Sequence, residues 1–314
     1  MTFNTPLRYP GGKARLAAFV RTLLVENRLT DCHYVETYAG GAGIAFELLF
    51  LEFAVHVHLN DADRAVYAFW HTVLHDTEWL CRRLTDTNVT VAQWRRQRNV
   101  YRRRDVACLR DLGFALLFLN RTNRSGILNG GVIGGLDQTG EWKIDARYYK
   151  AELVRRIEKI ASFRTRISLY NLDALEFIRK KAVRLPAKTF FYLDPPYFLK
   201  GQRLYQNHYR KEDHAKVAEV IQTQLPHKWI VSYDNVPDIV KLYENRRQAI
   251  YTLDYSASRR SLGTEVMFFS DDLLVPRNRN LDLALKAGSP RIHLTTQTAG
   301  IVRAPAGSEL RACA

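Results

Sequence analysis

The 314-residue chain lacks any apolar run approaching the ~20 residues needed to span a bilayer, so no membrane segment is expected. The opening residues Met1 to Pro6 carry no basic region leading into an apolar core, so no signal peptide is expected. Cysteine is scarce. Cys32, Cys81, Cys108 and Cys313 have no paired metal-ligand spacing, which excludes a zinc ribbon or finger. They read as mostly buried thiols of a reducing cytosol. His208 and His214 likewise have no metal partners at a recognisable spacing, so no metal is expected and both are expected at the surface. No cysteine sits in a nucleophile context, and no internal repeat is visible. Acids are under-represented: 32 Asp and Glu against 47 Lys and Arg give a net charge of +15 and a pI near 9.7. A chain this basic usually meets a polyanion, with nucleic acid the leading candidate. A ribosome or a membrane surface would account for the same charge.

Apolar residues make up 46% of the chain, ample for one large domain, or for a domain with a substantial insertion. The pattern turns on the stretch Tyr192-Leu193-Asp194-Pro195-Pro196-Tyr197. The β-branched and aromatic run Thr189 to Leu193 reads as a short buried strand. Asp194 is pushed to an extended backbone by the proline after it, and Pro195 and Pro196 allow neither helix nor ladder bond. A stiff loop at the carboxyl end of a strand results, the edge at which open α/β sheets bind ligands. The loop offers a carboxylate, carbonyls and an aromatic face. Those groups suit a planar amino-substituted ring such as adenine. A carboxylate and a carbonyl that accept both N–H bonds favour a pyramidal amine and stabilise the positive charge that grows as it attacks an electrophile. Tyr197 can stack on the base. The bland alternative is an ordinary Pro-Pro turn.

Taken in order, Arg8-Tyr9-Pro10-Gly11-Gly12-Lys13 predicts a tight turn before the helical spacing of Leu16, Phe19, Val20, Leu23 and Leu24. Its lysine can hold a carboxylate or phosphate, or simply open the helix. His33 to Tyr38 reads as a strand, Ala39 to Gly43 as a glycine-rich turn and Ile44 to Phe53 as a helix. This begins a nucleotide-binding βαβ unit without a Walker lysine or the strict dinucleotide spacing. Ala54 to Leu59 is a second strand. Asp61 at its end is placed to bond ribose hydroxyls, whereas Asp63 is at least as good a cap for the helix Arg64 to Leu74.

Residues 71–150 break the βαβ rhythm. At their centre, Trp94 to Arg104 carries Arg95, Arg96, Arg98, Arg102 and Arg103 among aromatics with no acid until Asp105. Such single-sign density is costly without a polyanion, so phosphate contact is expected over a merely solvated helix face. Phe114 to Leu119 is an apolar helix end. A long Gly/Asn loop from Asn120 to Gly135 follows, and loops of that length are often functional. Arg121, Asn123, Arg124, Ser125 and Asn129 lie in it, and Arg and Asn read guanine and adenine edges. The alternative is a flexible surface loop. Tyr148 to Phe163 is helical by spacing. Arg166 to Tyr170 is a third strand, ending in Asn171-Leu172-Asp173. Asp173 either bonds an adenine amino group or caps the helix Ala174 to Lys181. Phe198 to Tyr209 is a polar, aromatic loop able to close over a base. A helix over 211–225, a strand over 228–233 and a closing strand pair over 248–255 and 265–270 follow, with Arg259 and Arg260 in the intervening loop. From residue 276 the pattern fades into a tail expected to be disordered or lightly docked.

The order of these parts resembles the alpha-class, Dam-like DNA adenine-N6 methylases. The likeness rests on Tyr9 to Lys13, Glu36 to Gly43, Asp61, Asn120 to Gly126, Asn171 to Asp173 and Asp194 to Tyr197, and it covers roughly residues 6–270. It implies a Rossmann-like, S-adenosylmethionine-dependent α/β fold with a mostly parallel seven-stranded sheet. The catalytic domain is then residues 1–70 and 148–275, interrupted by a target-recognition insertion at 71–147. By the same resemblance Tyr9, Lys13, Glu36, Asp61, Asp173 and Asp194 contact the cofactor, Lys13 near its methionine carboxylate and Asp173 at its adenine ring. Gly40, Gly41 and Gly43 let the backbone approach it. Asp194 and the Pro195 carbonyl, with Pro196 stiffening the loop, hold the target amine, and Tyr197 stacks on the base. Thr37 and Tyr38 replace the family's usual proline and phenylalanine. Asn129 stands where GATC-specific members carry an arginine, so GATC specificity is not implied.

The reading is a DNA adenine-N6 methyltransferase that uses S-adenosylmethionine, flips its target base in duplex DNA and forms no covalent enzyme intermediate. It is expected to be a cytoplasmic, DNA-associated monomer, with a cognate restriction endonuclease left open. The same chemistry on RNA is the nearest rival. Methylation of cytosine N4 or protein glutamine is less consistent with Asp194, since those enzymes more often carry Ser or Asn there. An inactive nucleic-acid-binding module is the non-enzyme alternative.

Overall fold

The computed structural model describes residues 5–8, 13–198, 209–255, 261–276 and 292–293. A short 3-10 turn, Lys13–Leu16, leads into α1 (Ala17–Glu26). Two βα units follow: β1 (Cys32–Glu36) with α2 (Gly43–Phe50), and β2 (Ala54–Asn60) with α3 (Arg64–His75). Three more helices come next, α4 (Thr77–Asp86), α5 (Val91–Arg102) and α6 (Leu109–Thr122). Beyond a loop lie α7 (Lys150–Ser162), β3 (Ile167–Tyr170), α8 (Ala174–Lys180) and β4 (Thr189–Leu193). The chain closes with α9 (Lys211–Gln224), β5 (Lys228–Asp234), α10 (Pro237–Leu242), β6 (Gln248–Tyr255) and β7 (Ser261–Phe269). The two-residue β8 (Ile292–His293) pairs with β6 at the sheet's edge.

The strand order is β3-β2-β1-β4-β5-β7-β6-β8. The first five strands in that order pair in parallel, and β7 and β6 close the sheet antiparallel. This is the mostly parallel seven-stranded α/β sheet expected from the sequence, with β8 as a small addition. Parallel strands buried on both faces read as continuous apolar runs, and β4 is buried throughout. Its pleat divides the core. Phe190 and Tyr192 pack with α1, α2, α3 and α6, whereas Phe191 and Leu193 pack with α8, α9 and α10.

The insertion boundary expected at residue 70 falls inside α3, and α6, within the expected insertion, is part of the core. Every residue of α6 from Leu112 to Thr122 is buried, in the same core as α3. Gly113 permits this approach, because a Cβ there would lie 2.7 Å from the Ala68 carbonyl oxygen. Apart from residues 292–293, the tail beyond 276 lies outside the described residues, as do Tyr9, His208, Arg259, Arg260 and most of the loop expected to close over a base. His214 is a correction. It is 1% exposed, on α9, among Phe198, Tyr209 and Tyr233. An aromatic cage surrounds its ring, and spacing along the sequence gave no sign of those neighbours.

Candidate active site

The carboxyl ends of β1, β2, β3 and β4 bring the expected acids Glu36, Asp61, Asp173 and Asp194 to one edge. At β1, Glu36 is buried on the α1 face of the sheet. It accepts a 3.0 Å bond from the Ala45 N–H in the first turn of α2 and a 3.4 Å bond from the Tyr34 hydroxyl. Burial outweighs both bonds and pushes its pKa up to about 8. The turn between β1 and α2 places Gly40 at φ +45° and Ala42 at φ +49°, so the left-handed positions are Gly40 and Ala42 rather than Gly41 or Gly43. The Trp70 indole N–H holds the Gly40 carbonyl at 3.0 Å.

At the end of β2 the two acids divide the work. Asp63 caps α3 by accepting from the Ala65 N–H. Asp61 accepts from the Gly40 N–H and the Asp63 N–H, each at 2.9 Å. Burial, then the neighbouring Asp63, raises its pKa to about 7. Asn60, not singled out from sequence, fastens this edge. Fully buried, it donates to the Thr37 and Leu172 carbonyls at 3.0 Å and accepts from the Leu172 N–H, tying together the ends of β1, β2 and β3. Asp173 is exposed and takes the capping role at α8, accepting from the Leu175 N–H at 2.9 Å and the Glu176 N–H at 3.4 Å.

Asp194 leaves β4 half-buried. Its Oδ1 accepts from the Ser232 hydroxyl at 2.8 Å and lies 3.1 Å from the Lys13 Nζ. Lys13 is itself buried and has two further partners, the Tyr197 hydroxyl at 2.5 Å and the Glu265 Oε2 at 2.9 Å. Burial alone would lower its pKa, but Asp194, Tyr197 and Glu265 hold it well above the usual lysine value. Asp194 is shifted upward by burial, against the pull of Lys13 and with the push of Glu265. Tyr197, expected as a stacking surface, is 5% exposed, and its hydroxyl donates to Glu265 Oε1. Tyr251 donates to Glu265 Oε2 at 2.5 Å, from the position directly opposite in the β6–β7 ladder. Lys13, expected near a cofactor carboxylate, thus lies between two protein carboxylates.

Glu265 was not singled out from sequence. The available signal was its parity: it shares a face with Met267 and Phe269, both buried, and an acid on a buried face requires partners.

The candidate nucleic-acid residues separate into two sets. On α5, Trp94, Gln97 and Tyr101 face inward, leaving Arg95, Arg96, Arg102 and Arg103 exposed. Arg98 is half-buried, its guanidinium 4.9 Å from the Trp94 ring centre. Arg124 and Asn129 are exposed, and Ser125 is half-buried at φ +56°. Arg121 and Asn123, expected to read bases, are buried and engaged internally. Arg121 donates through Nε to the Pro6 carbonyl at 2.7 Å, and burial lowers its pKa to about 9. Asn123 accepts from the Trp94 indole at 2.6 Å and donates to the Ile127 and Leu128 carbonyls. The spacing showed that these residues were together but not which way they faced.

Among the described residues no cluster is placed to hold a metal ion, and no helix is long and apolar enough to cross a membrane. A strand order of 3-2-1-4-5-7-6 with a glycine turn after β1 and an acid after β2 defines an S-adenosylmethionine-dependent methyltransferase fold. The family model for the D12 class N6 adenine-specific DNA methyltransferases matches residues 9–258. The chain belongs to that family and is an adenine methyltransferase by family. No curated protein matches it. Similar solved structures include the rRNA methyltransferase AviRa from Streptomyces viridochromogenes, 13% identical, covering 85% of this chain and 88% of that one, with a TM-score of 0.40. Another is protein LPL1258 from Legionella pneumophila, 12% identical, covering 92% and 98%, with a TM-score of 0.38. A third, the putative methyltransferase YhhF from Escherichia coli, is 9% identical, covering 82% and 87%, with a TM-score of 0.32.

Proposed function

We propose that the protein methylates adenine N6 in duplex DNA, with the target base turned out of the stack toward Asp194. The observation that carries this reading is the position of Asp194. Its half-buried carboxylate is oriented by Ser232 and Lys13 at the same sheet edge as Asp61 and the glycine turn. The donor set there fits S-adenosylmethionine. Two carboxylates, Glu36 and Asp61, stand at successive strand ends, and Asp61 is pinned to the Gly40 N–H. S-adenosylmethionine, when bound, supplies a methyl group already activated as a sulfonium. Glu36 and Asp61, with Asp173 and Tyr9 by resemblance, are the residues that would hold it, whereas Lys13 is engaged by Asp194, Glu265 and Tyr197.

Asp194 and the Pro195 carbonyl accept the two N–H bonds of the target amine. This draws the nitrogen lone pair out of conjugation and stabilises the positive charge that develops on N6. Asp194, with its pKa shifted upward, is placed to take the proton that the methylated amine releases. By resemblance Tyr197 is the ring on which the base stacks, and its hydroxyl, tied to Glu265, fixes the buried ring at the floor of the site. The exposed α5 arginines grip phosphates, and Arg124, Ser125 and Asn129 face base edges. In this reading the protein works on cytoplasmic DNA as a monomer, with or without a cognate restriction endonuclease.

The test is mapping of methylated adenine in DNA from cells producing the protein or its Asp194→Ala variant. One short recurrent motif, methylated only with the unaltered protein, is the expected result. Methylated adenine confined to RNA would move the reading to an RNA methyltransferase. Retention of full DNA methylation by Asp194→Ala would overturn the mechanism.

A further inference from the structure

Asp194 does not face its lysine alone. Glu265 lies on the far side of Lys13, 2.9 Å from the Nζ, and bonds the hydroxyls of Tyr197 and Tyr251. A methyl acceptor that becomes cationic is repelled by a bare ammonium beside its carboxylate. Lys13 and Asp194 as an isolated pair would also be neutral, leaving the carboxylate little charge to offer. With Glu265 the triad carries a net charge of −1. We propose that Glu265 is a positioning residue for methyl transfer: it neutralises Lys13 so that Asp194 meets the target amine with its charge undiminished, and it fixes Tyr197 through the hydroxyl. The proposal rests on the adenine-methylation reading above.

The geometry favours this over a simple structural ion pair. An ammonium has three N–H donors, and those of Lys13 have three acceptors among the described residues, Asp194, Glu265 and Tyr197. Asp194 and Tyr197 belong to the loop that follows β4, and Glu265 belongs to β7, two places from β4 in the sheet. Tyr251 donates to Glu265 across the ladder, which steadies the charged form of that carboxylate without adding a charge. Among the described residues, the titratable groups around Asp194 are Lys13 on the N-terminal turn, Glu36 on β1, Tyr192 and Tyr197 on and after β4, Tyr233 on β5, Tyr251 on β6 and Glu265 on β7. Lys13 is the cation among them, and Glu265 the acid in direct contact with it.

The experiment compares purified full-length protein with Glu265→Gln and Glu265→Asp. Transfer of labelled methyl from S-adenosylmethionine to adenine-unmethylated genomic DNA is followed from pH 5 to pH 9, and cofactor affinity is measured by calorimetry. For Glu265→Gln, kcat is expected to fall by about 30-fold with cofactor affinity within about 3-fold, the split expected when a transition-state charge is lost. Its acid limb should move to lower pH, because removing the Glu265 charge leaves Asp194 easier to ionise. Glu265→Asp keeps the charge, so its acid limb should stay where the unaltered protein has it and its rate should lie between the two. An unshifted limb together with unchanged kcat in Glu265→Gln would overturn the proposal. Should Glu265→Gln not fold, a displaced limb in Glu265→Asp would overturn it equally. Carbon-13 titration of the Asp194 carboxyl, assigned against Asp194→Asn, reads the coupling without turnover. Absence of a downward shift in Glu265→Gln there also counts against the proposal. Failure of the unaltered protein to methylate DNA would instead overturn the functional reading itself.

Discussion

Asn120 grips Arg8 by both backbone groups: its side-chain carbonyl accepts the Arg8 N–H at 2.7 Å, and its amide donates to the Arg8 carbonyl at 2.8 Å. The same amide reaches the Gly126 carbonyl at 3.1 Å. A stretch expected to read bases therefore holds the N-terminal segment that leads to Lys13. Asn120→Ala should cost about 2–3 kcal/mol, since it strands buried polar groups. It should also lower methyl transfer more than DNA affinity. Gly126→Ala should be as harmful, because a Cβ at φ +76° would lie 2.5 Å from the Arg8 oxygen. Urea titrations and anisotropy with labelled duplex DNA would check both. Unchanged stability in both variants would remove the clamp.

The carboxyl of Glu36 predicts a pH slope. Its pKa is near 8 in the folded chain, against 4.5 for an unhindered glutamate. Between those values the folded state binds more protons than the unfolded state, so stability falls as pH rises. The contribution is fully present below the unfolded pKa and is lost as pH climbs through 8. Denaturation midpoints should decline from pH 5.5 to pH 8.5, and Glu36→Gln should flatten the decline. Asp61, near 7, acts in the same direction but more weakly because it is half-exposed. A midpoint that rises over that interval would count against the buried carboxyl.

The exposed and buried arginines should part company in salt. Replacing Arg95, Arg96 and Arg102 together by alanine should reduce the salt dependence of DNA binding by roughly 0.9 in log–log slope for each phosphate no longer neutralised. The fold should hold, because these side chains face outward from α5. Arg121→Ala should do the reverse. It removes the donor to the Pro6 carbonyl from the core and should destabilise the chain while leaving the slope of the surviving folded protein unchanged. Binding isotherms at several salt concentrations, with thermal melts alongside, separate the two outcomes.

The sheet was legible where a single physical constraint decides the pattern. Thr189 to Leu193 is apolar on both faces and ends at Asp194-Pro195, and the strand found there has those bounds. Gln248 to Tyr255 likewise matches its strand. Asp63 was readable as a cap because the helix after it begins at once. Orientation was harder to read. Arg121, expected in the loop, lies in the last turn of α6 and is buried, while Arg124 just past the helix is exposed, because α6 is covered by neighbours remote in sequence. Glu265 escaped for the same reason. Its partners are Lys13, Tyr197 and Tyr251, and no local spacing connects residue 13 with residue 265.

Specificity should then reside in the residues that remain exposed on the long loop. Arg124 is exposed just past α6, its backbone N–H bonded to the Gly131 carbonyl at 3.0 Å, so the loop is closed at its base while the side chain points outward. A guanidinium held this way suits the two acceptors on a guanine edge, a contact worth about 1–3 kcal/mol of discrimination. Arg124→Ala should therefore relax the methylated motif at one position, with a mixture of bases replacing a guanine. Total methylation should fall less than it does with Asp194→Ala. Sequencing of methylated adenine in cells producing Arg124→Ala would show this directly. A motif narrowed or unchanged would assign the base-reading role elsewhere on the loop, with Asn129 the next residue to replace.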